Sequence, residues 1–364
     1  KNNFKEFKIK NLDGSETFKY SFQLKNNEDQ ANTVYLIDEA SMISDVYNEM
    51  EFFRFGSGHL LRDLFNYVNM DNNDHRKKII LVGDDAQLPP VGMNFSPALD
   101  SDYLLNSIGY SCSISQLREV VRQKADSKIL LNAKKLRVAL EKKAFCDLSI
   151  QHNDSDCIKL EHGSILKRYL HACDNKINDK CVIVAHSNSQ VLDYNKMVRS
   201  VFFPNKAHLQ KNDRLIIVAN NYSKDVELLN GDFAKVTDVA ENIETRNITL
   251  KIKKESGEVE ERNISLTFRD VILELAMNDE QKVQVRCKVF DKLLNSRDRD
   301  ISSDEQKALY IDFKIRNPHL KNGTPEFGEA LSKDVYFNVI RVKYGYAVTC
   351  HKSQGGEWKH VFLN

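Results

Sequence analysis

Long apolar runs, paired cysteines and abundant proline or glycine are all missing from this sequence. No apolar run approaches the roughly 18–20 residues that cross a bilayer, and Lys1–Lys10 lacks the apolar segment of a signal peptide. The seven cysteines are scattered without a Cys-x-x-Cys pair, which argues against a disulfide framework or a zinc site. Fourteen glycines and six prolines exclude collagen-like and proline-rich chains. These absences predict a cytoplasmic protein with no membrane partner.

The composition is that of a globular protein. The 364 residues are 41% hydrophobic and 29% charged, which argues against wholesale disorder and suffices for two or three domains. Because the net charge is only +1, any surface for a nucleic acid must be local. The chain begins with lysine and stops directly after the apolar run Val361–Leu363, so we expect it to be a fragment of a longer protein.

Two short apolar runs end in polar side chains. Val34–Ile37 precedes Asp38 and Glu39, and Ile79–Val82 precedes a glycine-led loop. Such runs are typical of parallel strands buried on both faces, and the stretch 44–67 between them has helical character. This alternation predicts an α/β nucleotide-binding layer. An aspartate at the end of such a strand can hold Mg²⁺, and an adjacent glutamate can polarise a water.

The loop after the second run reads Gly-Asp-Asp-Ala-Gln-Leu-Pro-Pro. Its first residue, Gly83, permits the close approach of another backbone, and Pro89 with Pro90 stiffens the chain that follows. Gln87 offers a donor and an acceptor without charge, which suits it to contact a terminal phosphate. We therefore predict a phosphate-sensing loop at the carboxyl end of this strand.

Further elements are predicted on both sides of these motifs. Alternating residues around Asp13-Gly14 predict a β-hairpin over 4–23. A lysine-rich helix is predicted over 126–143, with its charged face in solvent rather than on phosphates. The apolar stripe of this helix consists of Ile129, Ala133, Leu136 and Leu140.

The second half of the chain begins with a predicted buried strand over 181–185 and a helix over 189–201. After residue 213, short β-rich runs with intervening turn signals predict a small barrel. These runs are Leu215–Ala219, Phe233–Val239, Ile248–Ile252 and Ile264–Phe268. The charged segment 277–334 is predicted to be mostly helix and loop, and Val335–Val342 is predicted to be a strand.

Two of these motifs together resemble superfamily-1 DNA helicases. They are Asp38-Glu39-Ala40-Ser41 and Gly83-Asp84-x-x-Gln87-Leu88-Pro89-Pro90, and they resemble in particular the RecD-like and phage Dda-like branch, which includes exonuclease V alpha subunits. Two later segments agree, because Leu117–Gln123 resembles the fourth motif of that family and Tyr346–Trp358 resembles the fifth. The four motifs together cover nearly the whole chain.

The resemblance implies an α/β fold with two RecA-like, P-loop-type motor domains and a small SH3-like β-barrel inserted in the second. Residues 1–125 would be the remainder of the first motor domain, with the hairpin 4–23 as a pin. The second motor domain would consist of 126–212 and 341–364. The insertion 213–340 would hold the barrel and a charged helical elaboration.

The resemblance also implies a site for ATP and Mg²⁺ on the first motor domain. Asp38 would coordinate Mg²⁺ through water, and Glu39 would be the catalytic base. Gln87 would contact the γ-phosphate and link it to the DNA groove.

Residues from later motifs would complete this site. Arg122 would be an arginine finger, whereas Arg118 fits the family pattern less well. Gly356 and Glu357 would lie near the nucleotide. The residues that would contact single-stranded nucleic acid are Pro89, Thr349, His351, Ser353 and Gln354.

The sequence departs from the family pattern in two places. No Gly-Lys-Ser or Gly-Lys-Thr is present, so the phosphate-binding loop is missing, and the sixth motif is missing as well. Both would fall outside the two ends of this chain. We therefore expect the longer protein to hydrolyse ATP and this polypeptide alone to be inactive.

The expected function is ATP-dependent unwinding of DNA, with 5′ to 3′ movement inherited from the resemblance. The expected partners are single-stranded DNA and a DNA fork, with nuclease or repair-complex subunits as candidates, and the expected state is a monomer. Phe7, Phe18, Tyr20 and Phe22 of the hairpin would present rings at the fork, or would pack on the domain itself. An RNA helicase of the same superfamily and a non-enzymatic nucleic-acid-binding remnant are the alternatives.

Overall fold

The computed structural model divides into two compact units, Lys1–Leu160 and Glu161–Asn364. It describes residues 4–10, 16–49, 53–72, 76–117, 119, 127–144, 149–161, 163–223, 225–253, 258–276, 281–322 and 324–364. Helices and sheets occur in both units, so the predicted mixed α/β class is confirmed. No helix within these ranges is long and apolar enough to span a membrane.

Among its described residues, the first unit contains two small sheets and three helices. Its strands are β1 Phe4–Lys10, β2 Glu16–Phe22, β3 Val34–Ile37, β4 Phe53–Phe55 and β5 Lys78–Leu81. Its helices are α1 Leu60–Val68, α2 Ser101–Tyr103 and α3 Lys128–Glu141, with 3-10 turns at Ala40–Met42 and Met70–Asn72 and a π-helical turn at Leu104–Ile108. Strands β1, β2 and β4 form one sheet, and β3 and β5 form the other.

The hairpin predicted at the start of the chain is present. Strands β1 and β2 pair in antiparallel register along their whole length, and β4 adds to β2 in parallel. The predicted Asp13-Gly14 turn lies outside the described residues. Phe22, at the end of β2, stacks on Phe55 of β4 with ring centroids 5.0 Å apart, which holds the added strand against the hairpin.

Strands β3 and β5, which precede the two polar motifs, lie side by side in parallel. Ile37 and Ile79 pack on one face against a core that includes Leu61 of α1. On the other face, Val34 and Leu36 are 52% and 67% exposed. The prediction that these strands are buried on both faces is therefore wrong, because within the described ranges this sheet has two strands and only one covered face.

The helix between these strands is shorter than the predicted 44–67. Helix α1 begins at Leu60, and β4 with a glycine turn precedes it. Gly56 has a φ of 56°, and a Cβ there would lie 2.0 Å from a carboxylate oxygen of Asp63. That carboxylate accepts a hydrogen bond from the Ser57 N–H at 3.0 Å. The turn therefore requires glycine, and it ends the extended segment where continuous helix was expected.

Helix α3 confirms the helix predicted over 126–143, but a different face of it is buried. Leu130 and Asn132 are buried. All four members of the predicted apolar stripe are instead exposed, namely Ile129, Ala133, Leu136 and Leu140. Asn132 exchanges hydrogen bonds of 2.7 and 2.8 Å with the backbone of Gln151, so the segment after the helix packs on the Asn132 side.

The second unit contains nine strands among the described residues. They are β6 Cys181–Ala185, β7 Arg214–Ile217, β8 Phe233–Val239, β9 Glu244–Lys253, β10 Val259–Ala276, β11 Lys282–Phe290, β12 Val342–Tyr344, β13 Ala347–Thr349 and β14 His360–Leu363. Its helices are α4 Ile165–Ala172, α5 Asn188–Phe202, α6 Ser303–Arg316, α7 Pro325–Lys333 and α8 Cys350–Ser353, with a 3-10 turn at Asp291–Asn295.

A parallel sheet of order β13-β6-β14 forms one part of the second unit. Its central strand β6 matches the predicted strand 181–185, and all five of its residues are buried. Helix α5 confirms the helix predicted over 189–201. Ser187 begins it with a capping box, in which its hydroxyl accepts from the Gln190 N–H while the Gln190 side chain accepts from the Ser187 N–H.

The remaining strands form a six-stranded sheet of order β11-β10-β8-β7-β12, with β9 paired to β10. The two ends of this order meet at Ile340, whose N–H donates to Lys288 O at 2.9 Å and whose carbonyl accepts from Phe290 N at 3.0 Å. The sheet therefore closes on itself. The four β-rich runs predicted after residue 213 are confirmed as β7 to β10.

Segment 277–334 is mostly helix and loop, as predicted, but it also contains the strand β11. The prediction of a strand over Val335–Val342 is wrong. In place of a strand over Val335–Val342, the backbone turns after α7 and becomes a strand only at Val342. The Asp334 carboxylate accepts from the Tyr336 and Phe337 N–H groups at 3.1 and 2.7 Å, which favours the turn over an extended chain.

Candidate nucleotide and nucleic-acid sites

The Asp38-Glu39 pair lies at the carboxyl end of β3, beside the carboxyl end of β5. The ladder between these strands continues past their ends, because Val82 N donates to Ile37 O and Ala40 N donates to Val82 O, each at 2.8 Å. Both acidic side chains are exposed. The two sequence motifs therefore meet at one sheet edge, the position where parallel α/β sheets bind ligands.

Glu39 has a left-handed backbone conformation, with φ 52° and ψ 35°. This conformation is unfavourable for a residue with a Cβ and is more frequent at functional sites than elsewhere. It turns the chain directly from β3 into the 3-10 turn Ala40–Met42. Asp38 supports the turn, because its Oδ1 accepts from the Glu39 N–H at 2.8 Å.

Gly83 holds the two motifs against each other. A Cβ at this position would lie 2.9 Å from the backbone N of Ser41, 3.3 Å from that of Ala40 and 3.0 Å from a methyl carbon of Leu99. No side chain larger than hydrogen fits there unless the acidic loop moves. The close backbone approach predicted for Gly83 is therefore its approach to the backbone of Ala40 and Ser41.

The loop after Gly83 is folded by its own aspartate. The Asp84 carboxylate accepts from the Ala86 N–H at 2.9 Å, and the Asp84 carbonyl accepts from the Gln87 N–H at 3.1 Å. The Gln87 side chain is exposed, Pro89 is half-buried and Pro90 is buried. The loop thus presents the predicted phosphate-contacting side chain on the solvent side of a turn anchored by proline.

Arg137 of α3 contacts this loop, a contact that no sequence pattern predicts. Its Nη2 donates to Asp84 Oδ2 at 2.6 Å, and its Nη1 lies 3.7 Å from Asp85 Oδ1. The hydrogen bond to Asp84 raises the pKa of the guanidinium above its ordinary value. One cation therefore balances both carboxylates beside Gln87. No periodicity or motif marks this residue, since its partners lie far away along the chain.

The buried carboxylate of Asp45 also supports the acidic loop. Asp45 Oδ2 accepts from the Tyr103 hydroxyl at 2.7 Å and from Arg62 Nε at 3.1 Å. Burial, together with this hydrogen bond to Asp45, raises the pKa of the Tyr103 phenol, so Tyr103 stays a donor at neutral pH. These contacts connect the chain after the acidic motif to α1 and α2.

The predicted arginine finger, Arg122, and the less favoured Arg118 both lie outside the described residues. Their proximity to the acidic loop stays a prediction. The nearness of Gly356 and Glu357 to the nucleotide also stays a prediction, because these residues belong to the second unit.

The predicted single-strand contacts lie where β13 runs into α8. Thr349 ends the strand, His351 and Ser353 lie in the helix, and Gln354 follows it. His351 is exposed and the other three are half-buried. The Ser353 hydroxyl donates to Cys350 O at 2.8 Å, which leaves its oxygen as the atom available to a ligand.

Asn195 of α5 fixes the strand that carries these residues. Its buried Oδ1 accepts from the N–H groups of Tyr346 and Ala347 at 3.0 and 2.9 Å, and its Nδ2 donates to Ala347 O at 3.1 Å. Beyond the helix, a Cβ on Gly356 would lie 2.1 Å from the Trp358 ring, so this glycine is required for the indole to pack. Neither contact can be inferred from local sequence.

No family model matches this sequence. An uncharacterised protein, R530 of Acanthamoeba polyphaga mimivirus, is 22% identical over 394 residues, covering 99% of this chain and 74% of that protein. Among solved structures, a Bacteroides Pif1 in complex with ADP-AlF4 is similar at 14% identity and a TM-score of 0.30. That match covers 91% of this chain but only 64% of the Pif1 chain, so this chain spans less than two thirds of that structure.

Proposed function

We propose that this chain is the motor part of an ATP-dependent DNA helicase of the superfamily-1, RecD-like type. Residues 1–125 would belong to one RecA-like domain and residues 126–212 and 341–364 to another, with an SH3-like barrel in the insertion 213–340. The observation that supports this best is the joining of the acidic motif and the Gln87 loop at one sheet edge through Gly83. The protein would move 5′ to 3′ on single-stranded DNA.

Two carboxylates and an amide at this edge match the needs of nucleotide hydrolysis. Glu39, held by the strained turn, would accept the proton of the attacking water, and Gln87 would contact the terminal phosphate. Asp38 uses Oδ1 for the Glu39 N–H, and Oδ2 has no hydrogen-bond partner among the described residues. That free oxygen fits a water-bridged Mg²⁺, which would neutralise charge on the phosphates.

The sequence contains no Gly-Lys-Ser or Gly-Lys-Thr, so we assign hydrolysis to the complete protein and not to this polypeptide alone. The backbone cradle and the lysine for the phosphates would have to come from elsewhere in that protein. Nucleic acid would run past Thr349, His351, Ser353 and Gln354, where hydroxyl, imidazole and amide groups face solvent in part. Binding would be independent of sequence and would weaken with salt.

Strand displacement by the complete protein tests this proposal. With ATP present, it should separate a duplex that carries a 5′ single-stranded DNA tail and leave a 3′-tailed duplex intact. RNA tails should support less unwinding than DNA tails. Displacement only from RNA-tailed duplexes would favour the RNA helicase alternative, and binding without displacement on any substrate would favour the non-enzymatic one.

A hairpin variant separates unwinding from hydrolysis in the same assay. Because bases stack on aromatic rings, a variant with alanine at Phe18 and Tyr20, which leaves the Phe22–Phe55 stack intact, should displace strands roughly tenfold more slowly. Its DNA-stimulated ATP hydrolysis should match that of the unaltered protein. An equal loss of both activities would remove the strand-splitting role that we assign to β1 and β2.

A further inference from the structure

A cavity of about 390 Å³ lies in the first unit, at the end of the β3–β5 sheet opposite the acidic loop. Three segments form it: the chain after the hairpin, the last turn of α1, and Lys77, which directly precedes β5. Asp38 follows the other end of these strands, and four residues of extended chain span about 13 Å. The cavity is therefore separate from the candidate site for ATP.

Asn27 fixes one wall of this cavity. Its Nδ2 donates to the Tyr35 hydroxyl at 2.8 Å and to Tyr67 O at 2.9 Å, so it ties the chain after the hairpin to β3 and α1. Its Oδ1 accepts from the Asp29 N–H at 2.9 Å, and the Tyr35 hydroxyl donates to Asp29 Oδ2 at 2.7 Å. Because these groups hold one another, the cavity is formed before a ligand enters, and binding requires little ordering of this wall.

The lining of the cavity is rich in side-chain amides that the protein does not engage. Asn26, Asn66 and Asn69 line it, and over the ranges that the structure describes their side chains make no hydrogen bond. Each carboxamide offers two N–H donors and an acceptor oxygen. A carboxamide pairs with adenine by accepting from the N6 amine and donating to N7. The lining therefore favours a nucleobase, and adenine in particular, over an apolar ligand.

Two ammonium groups add positive charge to the same lining. Lys77 is buried, with 5% of its surface exposed, whereas Lys25 is exposed and forms no ion pair with any described residue. Among the described lining residues Asp29 is the only carboxylate, and the Tyr35 hydroxyl occupies one of its oxygens. The lining thus carries two positive charges against one negative charge, which favours an anionic group such as a phosphate.

We propose that this cavity binds an adenine nucleotide, with the base on the asparagine amides and the phosphate at Lys25. Its volume falls within the range of about 300–1,000 Å³ that is typical of small-molecule sites. The ligand would lie at the end of the sheet opposite Asp38 and Glu39, so it would not be the nucleotide that is hydrolysed. This site goes beyond the proposed function and does not depend on it, because no group of the acidic edge takes part.

Isothermal titration calorimetry of this chain with AMP, in buffer without Mg²⁺, tests the site. Asn66→Ala should lower the affinity for AMP roughly tenfold, because a carboxamide that pairs with adenine is removed. GMP should bind roughly tenfold more weakly than AMP, since its O6 accepts a hydrogen bond where the N6 amine of adenine donates one. Lys25→Gln should reduce the preference for AMP over adenosine about threefold, the size expected for one exposed charge.

Asn106→Ala and Lys134→Gln are the matched controls, because both side chains are exposed outside the cavity, and both variants should bind AMP like the unaltered chain. Asn66→Ala should fold, since Asn66 is exposed in the last turn of α1 and alanine favours helix. Absence of AMP binding, equal affinity for AMP and GMP, or an unchanged affinity in folded Asn66→Ala would overturn the proposal.

An oligodeoxyadenylate distinguishes a free nucleotide from an adenosine within a nucleic acid. Tighter binding of the oligomer than of AMP, with the same loss in Asn66→Ala, would support adenine recognition and assign the site to a nucleic acid. Weaker binding of the oligomer would support a free nucleotide as the ligand. Displacement of AMP by oligothymidylate as readily as by oligodeoxyadenylate, or by inorganic phosphate as readily as by AMP itself, would overturn recognition of the base.

Discussion

Replacement of Asp213 by asparagine is expected to lower the free energy of unfolding of the second unit by about 3–5 kcal/mol. Asp213 is fully buried, with 0% of its surface exposed. Its carboxylate accepts from Arg199 Nε at 2.8 Å and Nη2 at 3.0 Å, from the Tyr346 hydroxyl at 2.8 Å and from the Gln210 N–H at 2.8 Å. An asparagine has one acceptor oxygen and no charge, so it cannot satisfy these donors.

The buried charge of Arg199 makes the decrease in the free energy of unfolding large. Its guanidinium is buried beneath the Tyr344 ring, 4.4 Å from the centroid, and would have no counter-charge in the variant. Burial raises the pKa of the Tyr346 phenol and persists in the variant, so the phenol does not replace the carboxylate as an anion. Tyr346 immediately precedes β13, so the variant should also loosen the strand that carries the predicted single-strand contacts.

Chemical denaturation followed by circular dichroism measures this loss. Glu329→Gln is the control, because it breaks an ion pair with Lys333 whose two side chains are 68% and 73% exposed. The control should leave the denaturation midpoint unchanged. A shift for Asp213→Asn as small as that of the control would show that this network does not stabilise the unit.

Replacement of Gly83 by alanine should lower ATP hydrolysis by the complete protein about a hundredfold, because a displacement of about 1 Å at a catalytic site has an effect of that size. The new methyl group would meet backbone nitrogens of the acidic loop, which cannot swing aside as a flexible side chain can. The loop would have to move away from β5, and Glu39 and Asp38 would move with it. The cost in stability should be about 1–3 kcal/mol, as for other overpacked sites.

The variant Gly92→Ala is the control that distinguishes displacement of the acidic loop from general destabilisation. Gly92 has a φ of 87°, so alanine is strained there, but a Cβ would meet nothing within 4 Å. This variant should lose about 1 kcal/mol of stability or more and keep its turnover. Equal turnover of Gly83→Ala and Gly92→Ala, measured at a temperature where both are folded, would contradict the role given to Gly83.

The sequence predicts the position of the acidic motif well, because a short apolar run followed by carboxylates is a local pattern. The end of β3, its parallel partner β5 and the close approach at Gly83 all follow from such patterns. The exposed outer face of β3 does not follow from the sequence, because Val34 and Leu36 are apolar whether or not another element covers them. An apolar run shows which residues of a strand can be buried, but whether another element covers them depends on the tertiary structure.

Residues that support the sites from a distance could not be predicted from the sequence. Arg137, Asn195 and Asp213 contact residues that are 53, 152 and 133 positions away, and each looks like an ordinary helix or loop residue. Strand β11 is a different case. Its buried Val285, Cys287 and Val289 alternate with polar residues, and the strong charge of the surrounding segment obscured that period.

The central claim is that Glu39 lies in a DNA-stimulated ATPase site, and steady-state ATP hydrolysis by the complete protein tests it most directly. Turnover should rise when single-stranded DNA is added, and Glu39→Gln should lower it by roughly 10²–10⁴-fold while leaving nucleotide binding intact. The amide keeps the size of the side chain and cannot accept the proton of water. Hydrolysis that ignores DNA, or that survives in Glu39→Gln, would contradict the account.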